Sequence, residues 1–290
     1  MVPVLLVTPS KCGMKSLILL ELSVNKKEIL RQYLPPAILD WLLRMGAGGN
    51  KFKYGFESWE EAASLCSGYD NSRIVEVVTM ASRKVRDEEA VYERDGVLFA
   101  EIQYSWPLLA CLLATPRSHG PLNIVDWGGA LGSSYRQNKQ FLNSAGIDVN
   151  WYVVEQPTLV RVGQSEFSNE ELSFHSQTPN NTPGFFDVVL FASSLNYISN
   201  TDHVINTVLK MEPSRIIFDR TPTARGVTDL YGVQTVGRDI YKASYPIRIF
   251  GNNKIAELLS PKYDLLASWK CDLQPDPKTV AHGYFFKLKE

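Results

Sequence analysis

Two acids and a cluster of glycines, at the ends of two apolar runs, are the residues best spaced for chemistry. In "NIVDWGGALGSSYRQ" an apolar run meets Asp126, then Gly128, Gly129 and Gly132, and a helical pattern begins at Ser133. Glycine at such a turn lets the backbone approach a ligand closely and adopt positive φ, which a β-carbon opposes. A dinucleotide fingerprint needs Gly-x-Gly-x-x-Gly. From Gly128 that puts Ala130 and Ser133 at the second and third glycine positions, so the pattern fails twice. Asp-x-Gly-x-Gly-x-Gly fits Asp126, Gly128 and Gly132, with Ala130 in the place of the middle glycine. An acid ahead of the first glycine repels a pyrophosphate and attracts a cation, so the cradle suits a positively charged ligand. The next apolar run, "VNWYVVEQ", also ends in an acid, Glu155, followed by Gln156. For Asp126 alone, a helix cap or turn residue is the competing reading.

These residues need a frame that holds strand ends side by side. From Pro121 onward, short apolar runs alternate with helical segments: "LNIVDW", "VNWYVVE", "LSFHS", "FDVVLFAS" and "SRIIFD". That alternation predicts an α/β fold with a mostly parallel, doubly wound sheet. "YDLLASWKCDL" and "AHGYFFKLK" have no helix between them and are expected to form an antiparallel terminal pair. The preceding part reads as all-helical over its first 115 or so residues. It comprises a leader over 1–24, a Gly-rich "GAGGNKF" linker, a capping box at Ser58 and Glu61, a helix over Trp59 to Cys66 stopped by Gly68, and amphipathic segments either side of Pro107. The domain reading is therefore a leader over 1–24, a helical region over 25–120 that closes on the ligand, and an α/β domain over 121–290. An insertion near 220–250 carries Tyr231, Tyr241, Tyr245 and Arg248 and is expected to cap a substrate pocket.

Composition narrows the classes. The 290 residues are 44% hydrophobic and 21% charged with a net charge of −1, so nothing advertises nucleic acid. The leader's apolar runs are broken by Pro3, Pro9 and Lys11 and are too short to span a bilayer, which points to a cytoplasmic chain without integral membrane insertion. Cys12, Cys66, Cys111 and Cys271 are far apart and read as reduced core thiols. His119, His175, His203 and His282 show no metal-ligand spacing, so no metal is expected.

The glycine pattern with its two acids resembles the cofactor motif of class I S-adenosylmethionine-dependent methyltransferases, whose fold is a Rossmann-like sheet with an antiparallel last strand. The chain from about Leu34 onward also resembles a narrower group of bacterial methyltransferase-like proteins of uncharacterised activity, associated with surface-polysaccharide gene clusters. The marks of that resemblance are "SWEEA", "GYD", "AVYERDGVLFAEIQYSWPLLA", "VDWGGALGSSYRQN", "VVEQ", "SSLNYI" and "IIFDRTP".

The resemblance implies S-adenosylmethionine as cofactor, with Glu155 accepting the ribose hydroxyls and Ser176 and Gln177 near the adenine. It places Ser193, Ser194, Asn196 and Tyr197 at the methyl-transfer mouth. Within "YERD", Tyr92 is expected to stack on a ligand and Arg94 to reach the cofactor carboxylate; a charged helix end is the alternative. Within "DRTP", Asp219 is expected to orient a hydroxyl nucleophile and Arg220 to hold an anionic substrate group; a paired surface turn is the alternative. His203 is a candidate general base beside Tyr197, against a solvated helix histidine. The expected activity is O-methylation of a small molecule or a sugar or glycan precursor. A non-catalytic methyltransferase-like scaffold or partner subunit is the rival, and a nicotinamide-dependent oxidoreductase lacks its glycines.

Overall fold

Each alternating apolar run from Leu122 onward forms a strand, and those in the middle of the sheet are buried on both faces. The computed structural model describes residues 51–66, 72–117, 120–236, 243–271 and 276–290. The expected leader, the first part of the expected helical region over 25–120, Cys12, Gly68, His119 and Tyr241 lie outside the described residues. Asn50–Glu290 form one compact unit.

In chain order the elements are β1 (Lys51–Phe56), α1 (Trp59–Ser64), α2 (Ser72–Arg86), β2 (Tyr92–Arg94), β3 (Val97–Phe99), α3 (Trp106–Leu113), β4 (Leu122–Trp127), α4 (Ser133–Ser144), β5 (Val149–Val154), α5 (Pro157–Glu166), β6 (Leu172–His175) and β7 (Val188–Ala192). A 3-10 turn (Leu195–Tyr197) follows, then α6 (Thr201–Met211), β8 (Arg215–Ala224), β9 (Leu230–Thr235), β10 (Ser244–Ile249), α7 (Lys254–Leu259), β11 (Tyr263–Lys270) and β12 (Thr279–Leu288).

Seven strands form the main sheet in the order β11-β12-β8-β7-β4-β5-β6. β8, β7, β4, β5 and β6 are mutually parallel, and β12 runs antiparallel to both β8 and β11. The fold is thus Rossmann-like with one reversed strand. Strand alternation divides the core: Ile124, Trp151, Val153, Leu190 and Ile217 face α2, α3, α4 and α5. Val125, Val154, Val189, Phe191 and Phe218 face α6 and α7. Burial of two full faces is what makes these runs almost continuously apolar.

The expectation of an all-helical beginning is corrected in three places. β1 pairs antiparallel with β9, which pairs with β10, making a second, three-stranded sheet. Its charge-aromatic alternation, Lys51-Phe52-Lys53-Tyr54, satisfies the period-2 rule, but its partner lies far along the chain in the insertion. β2 and β3 form a hairpin whose turn is Asp95-Gly96, both at positive φ (53° and 77°), the arrangement of a type I′ turn. Helix α2 therefore ends at Arg86 rather than running into "YERD". The capping hydroxyl at α1 is present: Ser58 Oγ accepts from the Glu61 N–H at 3.2 Å, while Glu61 Oε2 accepts from the Glu57 N–H at 2.7 Å.

Candidate ligand cleft at the strand ends

Asp126 follows Ile124 on the α3/α4 side of the sheet and is fully buried. Its Oδ2 accepts from the Trp151 indole N–H at 3.1 Å, and its Oδ1 has no hydrogen-bond partner. Burial pushes its carboxyl up to about 7; the Trp151 bond opposes the rise and the nearby Glu155 adds to it. Gly129 lies directly over it: a β-carbon there would stand 2.5 Å from Asp126 Cγ. Asp126 thus supports the loop from beneath instead of meeting a ligand on its surface.

The loop's shape comes from left-handed backbone. Gly128, Ala130 and Gly132 have φ of 75°, 49° and 89°. A β-carbon at Gly128 would stand 2.5 Å from Ser194 Cβ, so the first glycine is where β4 and the segment after β7 touch. Ser194 closes that contact by donating its hydroxyl to the Trp127 carbonyl. Glu155, partly exposed one strand away, accepts from the Ala130 N–H at 3.3 Å and from the Gln156 N–H at 2.9 Å. Burial raises its carboxyl as well. Beyond it, Ser176, Gln177 and His175 face Val160, Arg161 and Gln164 of α5 across a cleft of about 480 Å3.

On the other side of β4, the strand pair β8/β12 carries a β-bulge: Asp219 and Arg220 together stand opposite Gly283, because Phe218 pairs with Tyr284 and Thr221 with His282. Arg220 has a φ of 50°. Strand alternation alone would send consecutive side chains to opposite faces; here Arg220 Nη1 lies 2.9 Å from Asp219 Oδ2. Asp219 is fully buried, and its Oδ1 accepts from Ser105 Oγ at 2.8 Å. Ser193, at φ 63°, donates its N–H to the Asp219 carbonyl at 2.9 Å and its hydroxyl to the Arg220 carbonyl at 3.0 Å. The strand therefore runs on past "DRTP" to Ala224, so this motif is neither a strand end nor a surface turn.

No protein-family model and no curated protein matches the chain. Among solved structures it is similar to a 1,6-didemethyltoxoflavin-N1-methyltransferase of Burkholderia thailandensis with bound 1,6-didemethyltoxoflavin and S-adenosylhomocysteine, at 11% identity, covering 82% of this chain and 100% of that one with a TM-score of 0.42. It is also similar to the N-methyltransferase NodS of Bradyrhizobium japonicum at 16% identity, covering 63% and 93% with a TM-score of 0.42. The [4+2]-cyclase SpnF aligns at 9% identity over 80% and 96% with a TM-score of 0.46.

The expected site residues separate into three groups. Asp126, Gly128, Gly129, Gly132, Glu155 and Gln156 gather at the ends of β4 and β5, with Ser176 on the next strand's end. Ser193 and Ser194 follow β7, and Ser193 meets Asp219 and Arg220 at the bulge inside β8. Tyr197 lies farther along, its hydroxyl donating to Gln234 Oε1 of β9 and its ring edge-on to Tyr245 at 6.4 Å. Asn196 is wholly buried and donates to the Pro222 and Arg248 carbonyls at 3.1 and 2.6 Å, tying the turn after β7 to the small sheet. His203 is exposed on α6, its N–H capped by Asn200 Oδ1, as a solvated helix histidine would be.

The "YERD" residues take other places than expected. Tyr92 is buried against Phe99 at 5.8 Å, and the Arg94 guanidinium covers the same Phe99 ring at 5.3 Å. Glu93 between them is the residue that reaches the loop. Only 1% exposed, it accepts from Ser82 Oγ at 3.1 Å, from Ser133 Oγ and from Arg136 Nη2 at 3.3 Å. Arg136 Nη1 also donates to the Leu131 carbonyl at 2.9 Å. Hairpin, α2 and glycine loop thus share one buried carboxylate. Sequence reasoning missed Glu93, Ser105, Arg136 and Gln234. The Asp95-Gly96 turn was the available signal, because it places Glu93 at the hairpin's centre.

Among the described residues no helix is long and apolar enough to cross a membrane, and no cluster could hold a metal. Cys66, Cys111 and Cys271 are free thiols, and burial pushes Cys111 up to about 12, which leaves it unreactive at neutral pH.

Proposed function

We propose that the chain is an S-adenosylmethionine-dependent methyltransferase acting on a hydroxyl of a small molecule or a sugar precursor. The observation that carries this reading is the placement of two acids at successive strand ends: Asp126 beneath the glycine loop, and Glu155, partly exposed, accepting the Ala130 and Gln156 N–H groups with no lysine or arginine hydrogen-bonded to it among the described residues. A strand-end carboxylate with no cation bonded to it favours a ligand that is cationic or rich in hydroxyl donors. The residues fit such a cofactor. Glu155 keeps lone pairs free on both oxygens for a ribose diol, Gly128 and Gly132 let the backbone approach, and the N-terminal amides of α4 begin just beyond.

When bound, S-adenosylmethionine supplies a methyl group already activated on a sulfonium. What the protein must do is align an acceptor, remove water from it and accept its proton. In this reading Asp219, held by Ser105 and Arg220, orients the acceptor through Arg220, whose guanidinium it fixes. Tyr197, anchored through Gln234 and set edge-on to the buried Tyr245, is a candidate to contact the acceptor in this reading. The observation that favours a non-catalytic scaffold is the complete burial of Asp126 under Gly129.

One titration separates the two readings. S-adenosylhomocysteine is expected to bind the parent protein in the micromolar range and to bind folded Glu155→Ala at least tenfold more weakly, the loss of charge-assisted bonds. Absence of binding in the parent selects the scaffold. A panel of hydroxylated small molecules and nucleotide sugars with radiolabelled cofactor then tests the acceptor.

A further inference from the structure

Arg220 is an arginine in left-handed backbone inside a strand, a conformation that a side-chain-bearing residue adopts at a cost. The bulge that imposes it brings two consecutive side chains to the same place, so its consequence is to aim the guanidinium. Once aimed, that guanidinium is under-used. Its one contact among the described residues is Nη1 to Asp219 Oδ2, although it carries five N–H donors and its side chain is only 15% exposed. Its charge is felt by Asp126 on β4, by Tyr92 of the hairpin and by Cys271, so it lies among the strand ends, the hairpin and the last strand pair and not on the outer surface. A largely desolvated cation with unspent donors is a binding group for an anion.

The order of strands indicates whose anion. Glu155 ends β5 and Arg220 sits on β8, with β4 and β7 between them, so three strand spacings, roughly 14 Å, separate their backbones. A ligand whose ribose is held at Glu155 therefore occupies the β5/β4 half, and the β8 half remains for a second molecule. The anion's charge is limited too. Asp219 already offsets one positive charge, and Asp126 lies close by, so a dianionic phosphate is repelled more strongly than a planar monoanion, for which the guanidinium's hydrogen bonds can prevail. A carboxylate also matches the flat fork of the guanidinium.

Resting on the methyltransfer reading, we propose that Arg220 is the specificity residue for the methyl acceptor and that the acceptor is a hydroxy acid, its carboxylate held by the guanidinium beside Asp219. The class includes uronic acids as well as hydroxybenzoates.

The test uses the full chain and two matched probe pairs, benzoate with benzamide and glucuronate with glucuronamide, titrated by ligand-observed NMR with and without saturating S-adenosylhomocysteine. At least one carboxylate is expected to bind about tenfold more tightly than its amide. Arg220→Gln should abolish that preference, Arg220→Lys should retain part of it, and the affinity for S-adenosylhomocysteine should stay within about twofold in both. Equal binding of acid and amide, or no binding of either pair, overturns the proposal. So does a tenfold loss of S-adenosylhomocysteine in Arg220→Gln with 5′-methylthioadenosine unaffected, because the guanidinium then serves the cofactor's own carboxylate. If S-adenosylhomocysteine does not bind the parent, the methyltransfer reading fails by itself, and carboxylate preference in the unloaded protein still reports on the anion site.

Discussion

The two sides of β4 use the same unusual backbone for opposite ends. Toward β5, left-handed φ falls at Gly128 and Gly132, where missing side chains let the main chain come close to its neighbours and to a ligand. Toward β8, it falls at Ser193 and Arg220, residues whose side chains are the point of the turn. On the first side, in the proposed reading, backbone approach and the Glu155 carboxylate together make the binding surface, and Asp126 supports the loop from beneath. On the second, strain is accepted so that a guanidinium and a carboxylate emerge together. The difference explains why one half looks like a motif and the other like an ordinary strand.

The largest effect is expected from adding a side chain to the first half. In Gly129→Val the β-carbon would sit 2.5 Å from the Asp126 carboxyl carbon, and the buried carboxylate cannot move toward Trp151 without a clash. The expected destabilisation is about 3 kcal/mol or more, read as a large fall in Tm. Ser193→Gly, the reverse change on the other side, removes one hydroxyl bond and relieves positive φ, so its Tm is expected to change little. Equal losses in both variants would mean that the two sides are not built differently.

Next is the charge beneath the loop. The folded protein holds Asp126 at about 7, above the ordinary value of 3.8, so the native state binds more protons than the unfolded chain between those values. Stability from this group is therefore lost as pH rises through that window and levels off above it. Asp126→Asn removes the slope, since an amide can still accept from Trp151 and carries no charge. Its Tm relative to the parent should climb from acid pH to about pH 8, by an amount worth a few kcal/mol in free energy. A difference independent of pH would show that Asp126 is not a buried, uncompensated acid.

How much of this the sequence displayed follows from the range of the interactions. β4 to β8 were legible because each begins as a short apolar run bounded by polar turns, the inner ones buried on both faces. The glycine loop was legible because backbone approach demands particular residues at fixed spacing. The small sheet was not, since β1 finds its partner only through the β9–β10 excursion. The hairpin β2/β3 was masked by its flanks: three-residue strands show almost no alternation, and "RDEEAVYERD" has helical composition, so Asp95-Gly96 passed for a helix end. Arg220 was singled out, but the bulge that aims it depends on the register of β12, which no local pattern reveals. Tyr92 and Arg94 had the right neighbourhood and the wrong roles, because in a hairpin the central residue of the three, Glu93, is the one that faces α4.

Glu93 offers a middle-sized test of how the hairpin depends on the cradle. Glu93→Gln keeps the shape and weakens the bonds from Ser82, Ser133 and Arg136. A loss of about 1–3 kcal/mol is expected. Hydrogen exchange should rise over 92–99 and at the start of α4, and stay unchanged in β9 and β10. Uniform acceleration through the small sheet as well would mean that the carboxylate holds the fold generally and not the hairpin on the loop.

The smallest effect sharpens the comparison most. Ala130, in the cradle, and Arg220, in the bulge, are both side-chain-bearing residues at φ near 50°. Glycine at either position removes a left-handed penalty of roughly 1 kcal/mol, offset in part by greater freedom of the unfolded chain. Ala130→Gly should therefore raise stability slightly and leave S-adenosylhomocysteine binding unchanged, because the Ala130 N–H that meets Glu155 belongs to the backbone and survives the substitution. Arg220→Gly relieves the same strain but strands Asp219, fully buried and left with Ser105 as its hydrogen-bonding partner, so the gain in Tm should vanish or reverse. If both variants gain equally, the bulge is only strained backbone and Arg220 is not the reason for it.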